Sequence, residues 1–597
     1  MIVKMKKLTL LVSEREREKF LSGLRRVGVL HIKHVKPPES HEIKFIEDRM
    51  ANIDKMISIL TPYRGKGAGA QMVCDEKRII DDTVRITEIY EDKLDALRNM
   101  HDLEGQLLWF DIWGEFDPDD LAELREKGVN LRLHRLSKDE FRKLRRSKEE
   151  KYKVIKREKG YVYIAALFLA PDKKLSFEEV TPPPRGPEAI HKMMERLNAR
   201  IDKVDQALAE EARVLESIKI CREPFVKEHE FLTVKFGMQE EEEFSYMRGF
   251  CPADALPEVI SLSKTHGAGY LIEDADVPEE TPTLIRNPKW IRVIKPVFQF
   301  MNTVPGYNEF DISFVFLLFF SLFFAMLVGD AGYGLLFILI TFLARIKWKK
   351  APREPFFLMY ILGGTTAVWG AITGTWFGSD TIATMPGFRD LIIGRIDSFS
   401  AENQNFIIYL CFLIGTVHLT IAHLMKAFKW INSVKALADV GWVMIVWGMF
   451  FAAGTLVIGR DFPPAGGWLL VGGMALVLVF SNAQKNMLKG ILSTLVHLPL
   501  SVIGSFSDVV SYLRLFAVGY ATLVLASTFN HMAFAGGINN VFAGLGAAFV
   551  LFLGHALNVL LAMMAVIVHG IRLNMLEFSG HLGMQWSGEK YEPFCER

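Results

Sequence analysis

The chain has 597 residues and a formal net charge of +1. That is length enough for several domains, and too little net charge for a nucleic-acid partner. The average hides an asymmetry: of 70 Lys and Arg residues, 17 lie after Met301 and the rest before it. A charged first half precedes an apolar second half. Five cysteines (Cys74, Cys221, Cys251, Cys411, Cys595) show no CxxC spacing. They suggest neither a zinc site nor a disulfide framework, and point to a reducing environment for the first half. The N-terminus lacks an apolar run of signal-peptide length, and no Asn-x-Ser/Thr acceptor occurs.

Leu8–Val12 reads as a strand, Glu14–Arg26 as a helix and Val29–Val35 as a second strand, a small α/β start at about 1–40. Apolar residues then recur at Ile43, Ile46, Met50, Ile53, Ile57 and Leu60, alternating three and four apart, as in a heptad seam. A glycine-rich break, Gly65 to Gly69, precedes a looser helical pattern through Ile86, Tyr90, Leu97 and Met100. A second seam runs through Ile190, Met194, Leu197, Ile201, Val204 and Leu208, pauses at Glu211, and resumes at Leu215 and Ile218. Pro182–Pro184 marks its start. The spacing predicts an antiparallel coiled-coil rod with arms at about 41–104 and 186–235.

A weak internal repeat flanks the second arm. Trp113-Gly114 with Pro118 and Leu121 resembles Arg248-Gly249 with Pro252 and Leu256. Each copy is framed by strands, Leu131–Leu136 following one and Tyr270–Glu273 the other. Two further α/β stretches, about 105–180 and 245–275, are therefore expected, with small lobes at the ends of the rod. Glu240–Glu243 reads as a solvated loop, and Thr281–Pro288 as an extended linker. The expected domains are 1–300, cytoplasmic, and 301–597, transmembrane. The first half holds no GxxxxGK[ST], HExxH or nucleophile elbow. It reads as a docking or tethering structure with no nucleotide site and no cofactor.

Eight apolar stretches follow: Ile312–Val328, Ala331–Leu343, Phe356–Phe377, Phe406–Met425, Val440–Ile458, Gly466–Phe480, Leu500–Phe529 and Val541–Ile571. The last two exceed the length that crosses a hydrocarbon core of about 30 Å and must tilt or project. Even numbering puts both termini on one side. Ten basic residues (Arg345, Lys347, Lys349, Lys350, Arg353, Lys426, Lys429, Lys435, Lys485, Lys489) face Arg389, Arg395 and Arg460 on the other, so that side is the cytoplasm.

From Leu515 to Ile571 the chain has no Asp, Glu, Lys or Arg, and Arg514 and Arg572 bracket the run. A guanidinium stays charged in almost any setting. Holding one at mid-membrane costs at least about 2.5 kcal/mol, so it marks a functional site. Taken at 100° per residue, Ser507 and Ser511 share the Arg514 side. Asn558, His569 and Arg572 fall in one stripe of about 100°. The pattern suggests a hydrated path reaching the middle of the membrane. His418 and His423 read as packing residues. Arg514 cannot relay protons, but it can hold a passing carboxylate in its ionised form. Two half-channels separated by it would force the ion to travel on that carboxylate. Asp508 lies too near the aqueous end to serve, so the carrier is expected on another subunit. Other readings are a secondary transporter with a large regulatory domain, which calls for inverted repeats and broken midplane helices, and a membrane-anchored coiled-coil scaffold.

The motifs Ser507-Asp508-x-x-Ser511-Tyr512-x-Arg514-Leu515-x-Ala517, His569-x-x-Arg572-Leu573 with Glu577, and Gly329-Asp330-x-Gly332-Tyr333-Gly334 carry a resemblance over the whole chain. It is similar to subunit I (subunit a) of V/A-type rotary ATPases, particularly the archaeal and bacterial forms. The resemblance implies a mainly α fold with a cytoplasmic rod and an eight-helix membrane domain. The implied partners are a rotor ring of small hydrophobic carboxylate-bearing subunits, peripheral stalk subunits and, through them, the ATPase catalytic head. The implied setting is the plasma membrane bilayer, with both termini cytoplasmic. Arg514 matches the family's stator arginine and Arg572 its second arginine; His569, Ser511, Ser507, Asp508, Asn558 and Glu577 complete the candidate translocation set. Thr522 stands where eukaryotic members have a histidine, and Ala562 where they have a glutamate. Coupling to H⁺ and coupling to Na⁺ both occur in the family.

Overall fold

The computed structural model describes residues 1–64, 76–147, 151–158, 160–169, 175–481, 487–535, 537 and 540–596. The glycine-rich break, Cys74 and Lys485 lie outside them. The chain is 67% helical, which fits the mainly α expectation. It divides into two compact units. One comprises Met1–Leu10, Val27–Lys33 and Arg248–Pro593; the other comprises Leu11–Arg26, His34–Met247 and Phe594–Arg597.

In chain order the elements open with β1 (Met5–Ser13), α1 (Arg17–Val27) and β2 (His31–Lys33). Helices α2 (His41–Leu60) and α3 (Glu76–Trp113) lead to α4 (Pro118–Glu126), β3 (Asn130–Ser137), α5 (Lys138–Ser147), β4 (Lys151–Glu158) and β5 (Tyr161–Phe168). Then come α6 (Pro187–Glu211), α7 (Leu215–Phe236), β6 (Gln239–Glu241), β7 (Phe244–Pro252), α8 (Leu256–Thr265) and β8 (Gly269–Asp274).

The second unit is built on α2, α3, α6 and α7. Ile43 and Ile46 pack with Leu232, and Ile53 shares a cluster with Leu215 and Ile218, so α2 runs against α7 in the opposite direction. Ile86 meets Val204 and Leu208, while Leu103 and Phe110 meet Ile190, so α3 runs against α6 likewise. Both predicted seams face these contacts. Met56 and Ile59 are also buried, making the contact face wider than a two-position stripe. Glu211, the polar residue in the second seam, accepts from Arg85 Nη2 at 2.9 Å. An ion pair thus occupies the place of the missing apolar contact. Such partly exposed pairs add about 0–1 kcal/mol each, so the apolar faces carry the arms.

Cys221, buried on α7, is disulfide-bonded, which departs from the reducing environment expected for the first half. In the same unit β3, β5 and β4 pair in that order, antiparallel, with Leu133 opposite Ala165.

In the first unit β2, β7, β1 and β8 pair in that order, with His31 opposite Phe250. The linker is tied rather than free. Ile285 bridges to Ile2, and Thr283 N donates to Glu589 O at 2.7 Å. Helices α9 (Lys295–Met301), α10 (Ser313–Val328), α11 (Ala331–Lys347), α12 (Glu354–Thr373), α13 (Asp380–Ala383) and α14 (Gln404–Lys429) follow. Then come α15 (Lys435–Ala453), α16 (Pro464–Phe480), α17 (Met487–Ser511), α18 (Leu513–Phe534), α19 (Val541–Ala565) and α20 (Ser579–Leu582).

Every apolar stretch named from the sequence is helical over most of its length; Phe356–Phe377 runs past the end of α12 at Thr373, and Leu500–Phe529 is broken at Tyr512. Five helices among the described residues are long and apolar enough to cross a membrane, or six if the bent pair α10–α11 is one span. The expected count of eight was larger because α10, α11 and α16 have only 16 or 17 residues, at or below the length for a full crossing. The α10–α11 bend is 118°. Gly329 ends α10 at φ 70°, a left-handed cap that glycine adopts readily. Asp330 caps α11 by accepting from Tyr333 N at 3.2 Å. A Cβ on Gly334 would sit 2.5 Å from Ala367 N, so glycine lets α11 and α12 touch. The glycine-rich motif is thus explained by a turn and a close crossing.

The two last candidate spans are longer than the sequence limits suggested, Ile491–Phe534 with 44 residues and Val541–Leu582 with 42. At about 1.5 Å per residue each slightly exceeds twice the hydrocarbon thickness, at roughly 63–66 Å.

Cys251 on β7 is fully buried. Burial, with the Asp254 and Glu258 carboxylates adding to it, pushes its thiol up to about 12. At pH 8 only about one such thiol in ten thousand is ionised. Cys251 should therefore resist alkylation in the native protein and label readily in denaturant, as mass spectrometry of the modified peptides would read. Native labelling as fast as that of the partly exposed Cys595 would contradict this burial.

Candidate functional site

The site begins at the junction of α17 and α18. Tyr512, at the break, is completely buried. Its ring lies against Gly415 of α14, where a Cβ would come within 2.4 Å. Its hydroxyl pairs with His418 Nδ1 at 2.9 Å. His418 is itself stacked between Phe319 and Phe578, with ring centroids 4.0 and 4.3 Å away, which agrees with reading it as a packing residue. This anchored break fixes the first turn of α18, and Arg514 stands on that turn.

Arg514 Nε donates to the Ser511 carbonyl at 2.9 Å, and Nη2 donates to Glu577 Oε1 at 2.5 Å. Arg572 Nε lies 3.4 Å from the same oxygen. The Glu577 side chain is 3% exposed, Arg514 23% and Arg572 51%. One buried carboxylate therefore bridges two guanidiniums, and the trio carries a net positive charge. Glu577 Oε2 is buried without a hydrogen-bond partner among the described residues.

The convergence depends on how the last span winds. Val566–Gly570 and Leu573–Phe578 are π-helical, a rare form found mostly at functional sites. Arg572 and Glu577 are five residues apart. In a regular α-helix they would sit about 140° apart around the axis. The wider turn brings them to one oxygen. The same winding breaks the assumption of 100° per residue behind the expected stripe of Asn558, His569 and Arg572. Asn558 donates instead to Tyr333 Oη at 3.0 Å and Thr522 O at 2.9 Å. His569 Nδ1 is buried and unpartnered among the described residues. Ser507 is exposed.

Two further polar networks lie on the same helices. Tyr333 Oη pairs with His555 Nδ1 at 2.7 Å, and His555 Nε2 with Asn530 Oδ1 at 3.1 Å; Asn558 joins them. Asp508 Oδ2 pairs with His581 Nε2 at 3.0 Å, and His581 Nδ1 with His423 Nε2 at 2.8 Å. Asp439 lies beyond, 3.8 Å from His423 Nδ1. A small crevice of about 40 Å³ beside α18 is lined by Thr373, Thr375, Ser398, Gln404, Phe516 and Tyr520 among others. Sequence reasoning missed His581, Asp439, His555 and Asn530. Asp439 stands one residue before the apolar stretch that began at Val440, and His423 was taken for packing. Among the described residues no group of three or more His, Cys, Asp or Glu side chains could hold a metal ion.

No protein-family model matches the chain. It is 32% identical over 632 residues to the V-type ATP synthase subunit I of Borreliella burgdorferi, covering 100% of this chain and 99% of that one. It is 28% identical to V-type ATP synthase subunit I 1 of Treponema pallidum, covering 100% of both. A crystal structure of the cytoplasmic N-terminal domain of a V-ATPase subunit I, homolog of subunit a, aligns with 45% of this chain. Its identity is 12% and its TM-score 0.23, too distant to carry an argument.

Replacing Glu577 by Ala leaves two guanidiniums facing each other without a counter-charge. Breaking a buried pair in this way costs about 3–5 kcal/mol. The unfolding temperature of the purified, detergent-held protein should fall clearly for Glu577→Ala. An unchanged midpoint would show that the bridge contributes nothing.

Proposed function

We infer that this chain, which belongs to the subunit I family of V/A-type ATP synthases, is the stator membrane subunit that couples ion translocation to rotation. The observation that carries this reading is the fixed, buried Arg514 with its bridging Glu577. Two arginines and one glutamate leave one positive charge uncompensated. A carboxylate arriving on a moving neighbour would neutralise it. In the membrane such a carboxylate is protonated or ion-loaded, because desolvation disfavours its bare charge. Facing Arg514 it releases its ion, and leaving Arg514 it must be reloaded. Arg514 never gives up its own proton. It therefore blocks direct passage, and the ion crosses only by riding the neighbour.

The candidate residues take roles accordingly. Ser507, Asp508 and Ser511 line the approach on one side of Arg514. Asn558, with Thr522 and Tyr333, lines the approach on the other, next to the crevice that reaches Gln404. Arg572 and His569 border the path, and Glu577 holds the two arginines at a fixed spacing. The coupling carboxylate belongs to a ring of small hydrophobic subunits. Peripheral stalks hold the arms of the second unit and connect them to the ATPase head. The segments α10, α11 and α16 serve as shortened crossings, which restores eight. The excess of basic residues after α11, α14 and α16 then puts both termini in the cytoplasm. The arms act as a rod that resists torque.

A secondary transporter is not supported. Full-length similarity to rotary subunits accounts for both halves of the chain, although a broken helix, which that reading called for, does occur at Gly329–Asp330.

The deciding variant is Arg514→Ala, in a complex shown intact on a native gel. ATP-driven ion uptake into vesicles should be lost. Near-normal coupled uptake would overturn the assignment. Arg572→Ala should lose less, since it borders the path without dividing it. The intact complex should also contain a small, very hydrophobic subunit with a carboxylate in its apolar sequence.

A further inference from the structure

Four helices bring a file of titratable side chains together below the arginine site. Asp508 lies on α17, His581 on α20, His423 on α14 and Asp439 on α15. The links measure 3.0 Å from Asp508 to His581, 2.8 Å from His581 to His423, and 3.8 Å from His423 to Asp439. The middle of the file is buried. The side chains of His423, Asp439 and His581 are 4%, 6% and 10% exposed. Both ends reach out: Asp508 is 35% exposed, and Lys426, 3.6 Å from Asp439, is also 35% exposed. Trp442 of α15 stacks parallel to His423 at 6.1 Å and helps keep water from the middle. Other charged or titratable groups near the file are His418 on α14, Tyr512 at the α17–α18 break, Arg514 on α18 and Glu577, four residues before His581.

The bonding pattern fixes where the protons sit. A carboxylate only accepts, so Asp508 requires a proton on His581 Nε2. A neutral His581 then accepts at Nδ1, and the proton between the rings belongs to His423 Nε2. That leaves His423 Nδ1 bare, and it is the atom found buried and without a hydrogen-bond partner among the described residues. It points to the one carboxyl group within 4 Å on that side, Asp439.

We propose that Asp439, His423, His581 and Asp508 form a proton relay feeding the arginine site, and that the coupled ion is therefore H⁺ rather than Na⁺. The inference rests on the stator reading above and adds the ion and one of its routes. A proton from Asp439 bonds to His423 Nδ1, once the carboxyl group swings about 1 Å closer to hydrogen-bond range. The Nε2 proton of His423 passes to His581 Nδ1, and the Nε2 proton of His581 passes to Asp508. One proton enters and one leaves, and neither ring keeps a charge. Each ring turns over to restore its first tautomer. A sodium ion, which is held by oxygen ligands, meets two ring nitrogens on this path and cannot be handed along it.

The test uses the intact complex in vesicles, with ATP-driven acidification as the readout. Without Na⁺, the unmodified complex should acidify the vesicles at full rate. His423→Gln and His581→Gln keep a hydrogen-bonding amide but pass no proton through. Each should slow acidification about tenfold or more and change its pH profile, with assembly unaltered. Asp439→Asn should slow it as well. Wild-type rates in both Gln variants would overturn the relay. So would an absolute Na⁺ requirement of the unmodified complex, which decides even if a variant does not assemble. Loss of pumping in Arg514→Ala alongside normal pumping in His423→Gln would sink the relay and leave the stator reading standing. Coupled pumping in Arg514→Ala would sink the stator reading itself.

Discussion

The membrane unit depends on a charge that cannot be discharged. Arg514 stays ionised whatever surrounds it, so the protein must arrange everything else around that fact. Glu577 supplies the counter-charge, 2.5 Å away and almost wholly buried. The carboxylate is shared with Arg572, which keeps the compensation incomplete. A fully neutralised arginine would have no use for a third partner. A bare one would be too costly to hold in an apolar setting. Sharing one glutamate between two arginines sits between those limits.

Position matters as much as charge. Arg514 follows a break at Tyr512, and the break is pinned by a ring against Gly415 and a hydroxyl on His418. His418, stacked between two phenylalanines, is in turn fully buried. A side chain with a long flexible stem is thereby given a short tether to rigid packing.

Much of this was legible in the chain. The two arginines stood out because a run of more than fifty residues between them has no other charge. The seams of the arms were visible because apolar spacing is a direct imprint of a buried helix face. Other features left no such imprint. A π turn has no spacing pattern of its own, so the meeting of Arg572 with Glu577 could not be read at 100° per residue. The Asp508–His581–His423–Asp439 file joins residues on four helices, and each looks ordinary alone. Asp439 was hidden by its place at the edge of an apolar stretch. Apolarity alone shows that a helix belongs in lipid, while length decides whether it crosses, which is why the short α10, α11 and α16 stand apart from the five long spans.

The π-helical segments also make the end of the chain unusually sensitive to length. Adding one apolar residue between Arg572 and Glu577 would change neither hydropathy nor overall charge balance in any telling way. It would, however, set the two six apart, about 120° around the axis of a regular helix. Glu577 would leave its arginines and His581 would leave Asp508 together. Two related chains could thus align here with a single gap, look alike in composition, and present different faces. In this stretch, counting residues says more about kinship of mechanism than matching their types.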